Sequence, residues 1–244
     1  MDQQRKAQLK EDHFITTTSH GLEWASENRK SVIVTTSILL AVILAAVLIG
    51  VIANSRSNAA SNAFGRAMET YQAALATPGQ PPLPGAKTFA SAAERAKAAN
   101  MLFAQVADQY AWTTAGRNAR YFQGLTDIEE GQTQPAEDTL KQVAGGWNQG
   151  LSSLAKLALA DLYRQNGKTQ QAIDLYNDLS KHQTNAVPAS LAQLQLAALY
   201  TANGNGEQAR VIYAKLKDKD AKSAAGVIAA EKLNPSAAAA APQL

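Results

Sequence analysis

The chain has 244 residues, a formal charge of +3 and no cysteine, which excludes disulfides, thiolate metal sites, cysteine nucleophiles and a lipid-modified amino-terminal cysteine. Lysines and arginines are scattered among acids rather than gathered in a stripe, so the pI near 9.0 carries no argument for nucleic acid. Alanine is abundant, glycine is sparse and aromatic residues make up only 6% of the chain, a balance that favours small-residue helix packing over a sheet.

Residues 1–30 read as a polar tail with five acids and five bases, its apolar points being Phe14, Ile15, Leu22 and Trp24. A short helix on the membrane surface, with Trp24 in the interfacial aromatic belt, is expected there. Ser31 to Ala53 then forms the one run in the sequence that can cross a bilayer. The 22 residues from Val32 to Ala53 carry no charge, and 14 of them are Val, Ile or Leu. At about 1.5 Å per residue such a run spans roughly 33 Å, against a hydrocarbon core of about 30 Å. Aliphatic side chains at about −0.3 to −0.6 kcal/mol each add up to roughly −4 to −8 kcal/mol in favour of insertion. Its length and the acidic tail before it point to an uncleaved anchor rather than a signal peptide. Arg5, Lys6, Lys10, Arg29 and Lys30 precede the anchor, whereas Arg56 and Arg66 follow it. That bias places the amino terminus in the cytosol, although the nearest charges are evenly divided between the two sides.

Beyond the anchor, Ala60, Phe64, Ala67, Met68, Tyr71 and Leu75 recur every three or four residues, which predicts a helix over Ser57 to Ala76. Thr77 to Gly85 holds four prolines within seven positions and is expected to be a loop. From Thr88 onward the sequence reads as helix after helix, with an internal repeat. Gly167 and Gly204 lie 37 residues apart, as do Leu159 and Leu196, Tyr163 and Tyr200, Ala172 and Ala209, Tyr176 and Tyr213, and Leu179 and Leu216. Fainter copies occur upstream as Gly131, Ala136, Leu140 and Val143, and as Ala99, Phe103 and Val106.

A period in this range with two helices per unit is the pattern of an α-solenoid. Small residues stand where helices approach closely, large ones fill the gaps beside them, and Gly167 and Gly204 turn the chain between antiparallel helices through a positive φ. Gly204-Asn205-Gly206 matches half of a nucleotide-binding glycine pattern, but no strand precedes it, so it reads as a helix turn. The fold expected is all-α: one amino-terminal membrane helix followed by a helical repeat stack. Lys219 to Leu233 is expected to be a terminal helix capping the stack, and Asn234 to Leu244 a disordered tail.

These positions resemble the tetratricopeptide repeat. Leu159, Ala160, Tyr163, Gly167, Ala172, Tyr176 and Leu179 match its pattern, and Leu196, Ala197, Tyr200, Gly204, Ala209, Tyr213 and Leu216 match it again. The two upstream units depart from it, with Asp127 at the tyrosine position and the proline-rich stretch replacing the first tight turn. The organisation expected is a tail at 1–30, a membrane span at 31–53, a repeat domain of about four helix pairs plus a cap at 54–233, and a tail at 234–244. Register with that family puts Tyr121, Phe122, Leu125, Leu154, Leu157, Asp161, Leu191 and Leu194 near the concave face. This apolar lining favours a groove for apolar segments or a helix, and the same residues serve equally well as packing between helices. A clamp for a terminal carboxylate would have only Asn118 and Arg164 to draw on.

No catalytic constellation emerges. His13, His20 and His182 fall on both sides of the anchor, which leaves His182 as the single histidine of the large domain. Its place near a helix end suits a solvated or dipole-paired histidine better than a metal site or a Ser-His-Asp centre. Glu129-Glu130 and Glu137-Asp138 read as solvated faces, so no enzyme, cofactor or metal is expected.

The combination of short tail, single anchor and far-side repeat domain, including the approach LEWASENRKSV, resembles the bacterial YfgM-like family of ancillary subunits of the Sec translocon. The resemblance implies an inner-membrane protein with a periplasmic repeat domain that binds translocon subunits, periplasmic chaperones or translocating chains. A scaffold for cell-division or cell-wall machinery is the alternative.

Overall fold

The computed structural model describes residues 28–76, 87–219 and 221–234, and by its internal contacts the chain divides into two units, Met1–Arg56 and Ser57–Leu244. The first helix, α1, is Arg29–Tyr71. The portion of α1 in the first unit is apolar on every side, and its aliphatic side chains from Ile33 to Ile52 are all exposed. By length and composition α1 is long and apolar enough to cross a membrane. Thr35 closes its hydroxyl onto the carbonyls of Ser31 and Val32 within the helix, at 2.9 and 3.1 Å, so this polar group is satisfied without water.

In the second unit helical backbone stops at Tyr71, short of the Ala76 that periodicity predicts. Ala74–Leu75 instead pairs as strand β1 with Thr88–Phe89, β2, in a two-residue parallel ladder. The proline-rich stretch expected to be a loop lies outside the described residues. Helices α2 Ala92–Gln109, α3 Thr114–Glu129, α4 Thr133–Ala144, α5 Gln149–Gln165, α6 Thr169–Lys181, α7 Ala189–Ala202 and α8 Gly206–Lys219 follow, each packed on the next. Helix α9, Ala224–Leu233, then packs on α8 and α7. It begins five residues later than the terminal helix expected from Lys219, because the Ser223 hydroxyl caps the Gly226 amide at 3.1 Å. Ser91, Thr113 and Asn148 cap α2, α3 and α5 in the same way.

The repeat positions form the core. Ala99, Ala136, Ala172 and Ala209 are all buried, as are the large residues four positions on, Phe103, Leu140, Tyr176 and Tyr213. Opposite them stand Ala119, Gly124, Ala160 and Ala197 on the facing helices. At Gly124 the approach is so close that an added Cβ would lie 2.8 Å from Leu140 Cγ. Each fully buried Leu or Phe contributes about 1.5 to 3 kcal/mol by its removal from water.

The turns inside the pairs share one construction. Gly131, Gly167 and Gly204 have φ of 75°, 70° and 77°. In each turn the following amide reaches back to the carbonyl of the residue at the tyrosine position: Gln132 to Asp127, Lys168 to Tyr163 and Asn205 to Tyr200, at 2.8, 2.9 and 2.8 Å. The glycine amide bonds the next carbonyl in line, completing a Schellman motif.

Polar bonds join successive pairs. Glu137 on α4 is buried and receives Lys141 Nζ at 2.6 Å, Lys168 Nζ at 2.7 Å and the Tyr163 hydroxyl at 3.0 Å. It is therefore not the solvated face read from the sequence. The bonds from Lys141 and Lys168, aided by Tyr163, outweigh burial and hold its carboxyl down to about 2. Asp127, at the tyrosine position of the preceding unit, is buried too, and Asn100 of α2 donates to it at 2.6 Å. Burial pushes the Asp127 carboxyl up, opposed by the Asn100 bond.

The turns and the Glu137 clamp are open to direct test. Gly167→Ala and Gly204→Ala, which force an L side chain into the left-handed region, each destabilise the domain by about 1 kcal/mol in urea unfolding. Gly65→Ala, within a helix and with open space around it, stabilises by about 0.5 to 1 kcal/mol. Glu137 titrates below its unfolded value, so its contribution is complete above about pH 5 and fades as pH falls toward 2. Glu137→Gln accordingly lowers stability by about 2 kcal/mol at pH 7. Its melting temperature converges on that of the parent chain between pH 5 and pH 2, and a constant gap across that range contradicts the clamp.

Candidate functional site

Helices α3, α5 and α7 carry the predicted groove, and all eight of its residues are half-buried. Each gives part of its surface to the interior and keeps an outer edge. Phe122 is committed most deeply. Its ring stacks on Phe103 at 5.3 Å and meets Phe64 and Tyr71 at 5.7 and 5.8 Å. Tyr121 meets Phe122 edge-on at 5.5 Å and packs against the cluster built by α4, α5, α6 and α7. Phe122 thus seals α3 to the first pair, while Tyr121 points toward the next.

Leu154, Leu157 and Leu191 form a second group, packed against Leu179, Val187 and Ala192. Leu157 also touches the central cluster, so it joins two parts of the stack. Leu194 packs against Ala197, Ala209 and Tyr213, whereas Leu125 is half-buried outside the four main clusters. The structure therefore gathers Leu154, Leu157 and Leu191 into one patch and leaves Tyr121, Phe122 and Leu194 in separate ones.

The polar member, Asp161, is occupied from within. It accepts the Tyr176 hydroxyl at 2.7 Å, and Arg164 Nε stands 3.6 Å away. Burial first, and then the Asp161 bond, push the Tyr176 hydroxyl well above its ordinary range. Arg164 shares its charge with Asp161 and Asn118 is half-buried, so the two residues considered for a carboxylate clamp are not a free pair.

His182 sits at the carboxyl end of α6, exposed, with Nδ1 2.8 Å from Asp178 Oδ1. Lys156 Nζ holds the other oxygen of Asp178 at 2.7 Å, and Lys156, followed by His182, lowers the Asp178 carboxyl. The three border a cavity of about 440 Å³ that also includes Ser152, Ser153 and Thr184. Among the described residues no group of three or more His, Asp or Glu side chains is placed to hold a metal ion. His13 and His20 lie outside the described residues.

Sequence reasoning missed the residues that bond across pairs, Asn100, Glu137 and Lys168, and a cationic cluster of Arg117, Arg120 and Trp147. None belongs to the repeat pattern, and the contacts of Asn100 with Asp127, Lys168 with Glu137 and Trp147 with Arg117 join distant parts of the chain, so no spacing announces them. Glu137 had two available signals: it directly follows Ala136, a position that the period marks as buried, and Lys141 stands four residues on, at helical ion-pair spacing.

Among solved structures, the chain is similar to two crystal structures of TPR-like repeats from a putative kinesin light chain of Podosopora anserina, one of them a single-substitution variant, each at 20% identity. Each alignment covers 60% of this chain and 79% of the other, with a TM-score of 0.49. No protein of curated function matches the chain. The family model described as a tetratricopeptide repeat-like domain matches residues 23–235, and the chain therefore belongs to the tetratricopeptide repeat-like domain family.

Proposed function

We propose that the protein is a non-enzymatic, membrane-anchored binding module that assists secreted or envelope proteins beside the Sec translocon. The observation that carries this reading is the set of half-buried apolar edges along α3, α5 and α7, centred on Leu154, Leu157 and Leu191. Side chains that are fixed by packing yet keep an apolar edge suit contact with an apolar segment or a helix, since ordering them again costs little conformational entropy.

The apolar part of α1 supplies the tether, in the bacterial cytoplasmic membrane, with the amino terminus cytosolic and the repeat domain periplasmic. The surplus of basic residues before the span supports that orientation. A tether raises the local concentration of the domain near a membrane partner, so modest affinity for each segment suffices. The partners proposed are translocon subunits, periplasmic chaperones and translocating chains. Resemblance to the YfgM-like family supports that choice.

A photocrosslinking side chain at Leu157, in membranes active in secretion, is expected to capture a translocon subunit or a translocating chain. Leu154→Asp, in the chain that carries the probe at Leu157, lowers that capture about tenfold. Capture of neither class overturns the translocon reading. Orientation has its own test: protease added to spheroplasts is expected to degrade the repeat domain, and full protection places the domain on the cytosolic side.

A further inference from the structure

The link from α2 to α3 and the link from α4 to α5 both border a cavity of about 150 Å³, away from the predicted groove residues. Arg117 is its fixed feature. One of its Nη atoms donates to the Trp112 carbonyl at 2.7 Å, the other donates to the Thr114 hydroxyl at 3.3 Å, and the Trp147 indole covers the guanidinium at 4.7 Å from the ring centroid. Its Nε is buried and has no hydrogen-bond partner. Among the described residues no carboxylate lies within ion-pair distance of Arg117, whereas the second cation of the cavity, Arg120, is held by Asp108 at 2.6 Å.

Val143 and Leu151 form the apolar part of the walls, Gln142 and Asn148 a neutral polar part, and Trp147 is 77% exposed. A large aromatic side chain left in water over a positive charge gains little from the fold itself. Arg117 places only two of its N–H groups internally and carries one uncompensated charge, which one carboxylate matches. A phosphate dianion would bring a second negative charge that this one cation leaves uncompensated beside Val143 and Leu151.

We infer that this cavity receives a Glu or Asp side chain of a partner polypeptide, with a neighbouring apolar residue of that partner packed against Trp147. The site is separate from the groove, and the inference does not rest on the translocon reading. The test uses the full chain in detergent micelles, immobilised through a tag, and three pools of short peptides flanked by mixed Leu, Val and Phe. One pool has a central Glu and blocked ends, one a central Gln and blocked ends, and one a central Gln and a free carboxyl terminus. The Glu pool is retained about tenfold over the blocked Gln pool, as a charge-assisted hydrogen bond at a partly dry site allows. That ratio falls to about one in Arg117→Gln, as loss of the cation requires. Trp147→Ala alters only an exposed ring, so it stays folded even where the arginine variant does not, and it lowers retention of the Glu pool severalfold. Equal retention of the blocked pools by the parent chain, or retention of the free-terminus pool alone, overturns the inference.

Discussion

Close approach of helices at small residues is the constraint on which the repeat domain depends. Ala99, Ala136, Ala172 and Ala209 have lost essentially all contact with water, and each stands four residues before a large side chain that fills the space made by the approach. With no Cβ on Gly124, and a single methyl on Ala160 and Ala197, the facing helices come near enough for Leu140, Tyr176 and Tyr213 to bridge them. Enlarging a small position would separate a pair, and enlarging a large one would find no room, because interiors packed to crystal-like density have no slack. The glycine turns depend on the same geometry. A left-handed glycine after α3, α5 and α7 reverses the chain within a few residues, so that the next helix packs back on the one before.

Packing of this kind sets distance but leaves register between pairs free to slide. Polar bonds restrict it. Glu137 joins α4 to the start of the next turn through Lys168 and Tyr163, and Asn100 joins α2 to Asp127. The two devices are electrically opposite in outcome. Glu137 is held ionised by two ammonium groups, whereas burial pushes the Asp127 carboxyl upward against a single amide bond. Asp127 also explains how the unit tolerates losing its tyrosine. The backbone carbonyl at that position still closes the turn, and the side chain finds a partner in the neighbouring pair. Such bonds are directional and so contribute specificity beyond their modest net energy.

For function, these features divide the surface into places already spoken for and places left open. Asp161 is occupied by Tyr176, His182 and Lys156 share Asp178, and Phe122 is part of an aromatic core. Among the places left open are the apolar edges on α3, α5 and α7 and the Arg117 cavity under Trp147. In the readings proposed above both receive polypeptide, one by contact area and the other by charge. A repeat stack supports several such surfaces at once, because each pair is held mainly by its neighbours.

The amino-acid sequence by itself determined the helical pairs, the period and the apolar span. Alternation of small and large residues at a constant offset is a local property with one packing solution, and the uncharged stretch from Val32 to Ala53 needs no partner to be recognised. The turn glycines were legible for the same reason, since a positive φ after a helix calls for glycine wherever the chain then goes. Tertiary structure decided the rest. It stopped the first helix at Tyr71 and paired Ala74–Leu75 with Thr88–Phe89, a contact that depends on where α2 lies rather than on local preference. It buried Glu137 and joined it to Lys168, and it set Arg117 beneath Trp147, because residues far apart in sequence meet only once helices have stacked. Periodicity assigns a residue to a face of its own helix, but what that face meets is a property of the neighbouring pair.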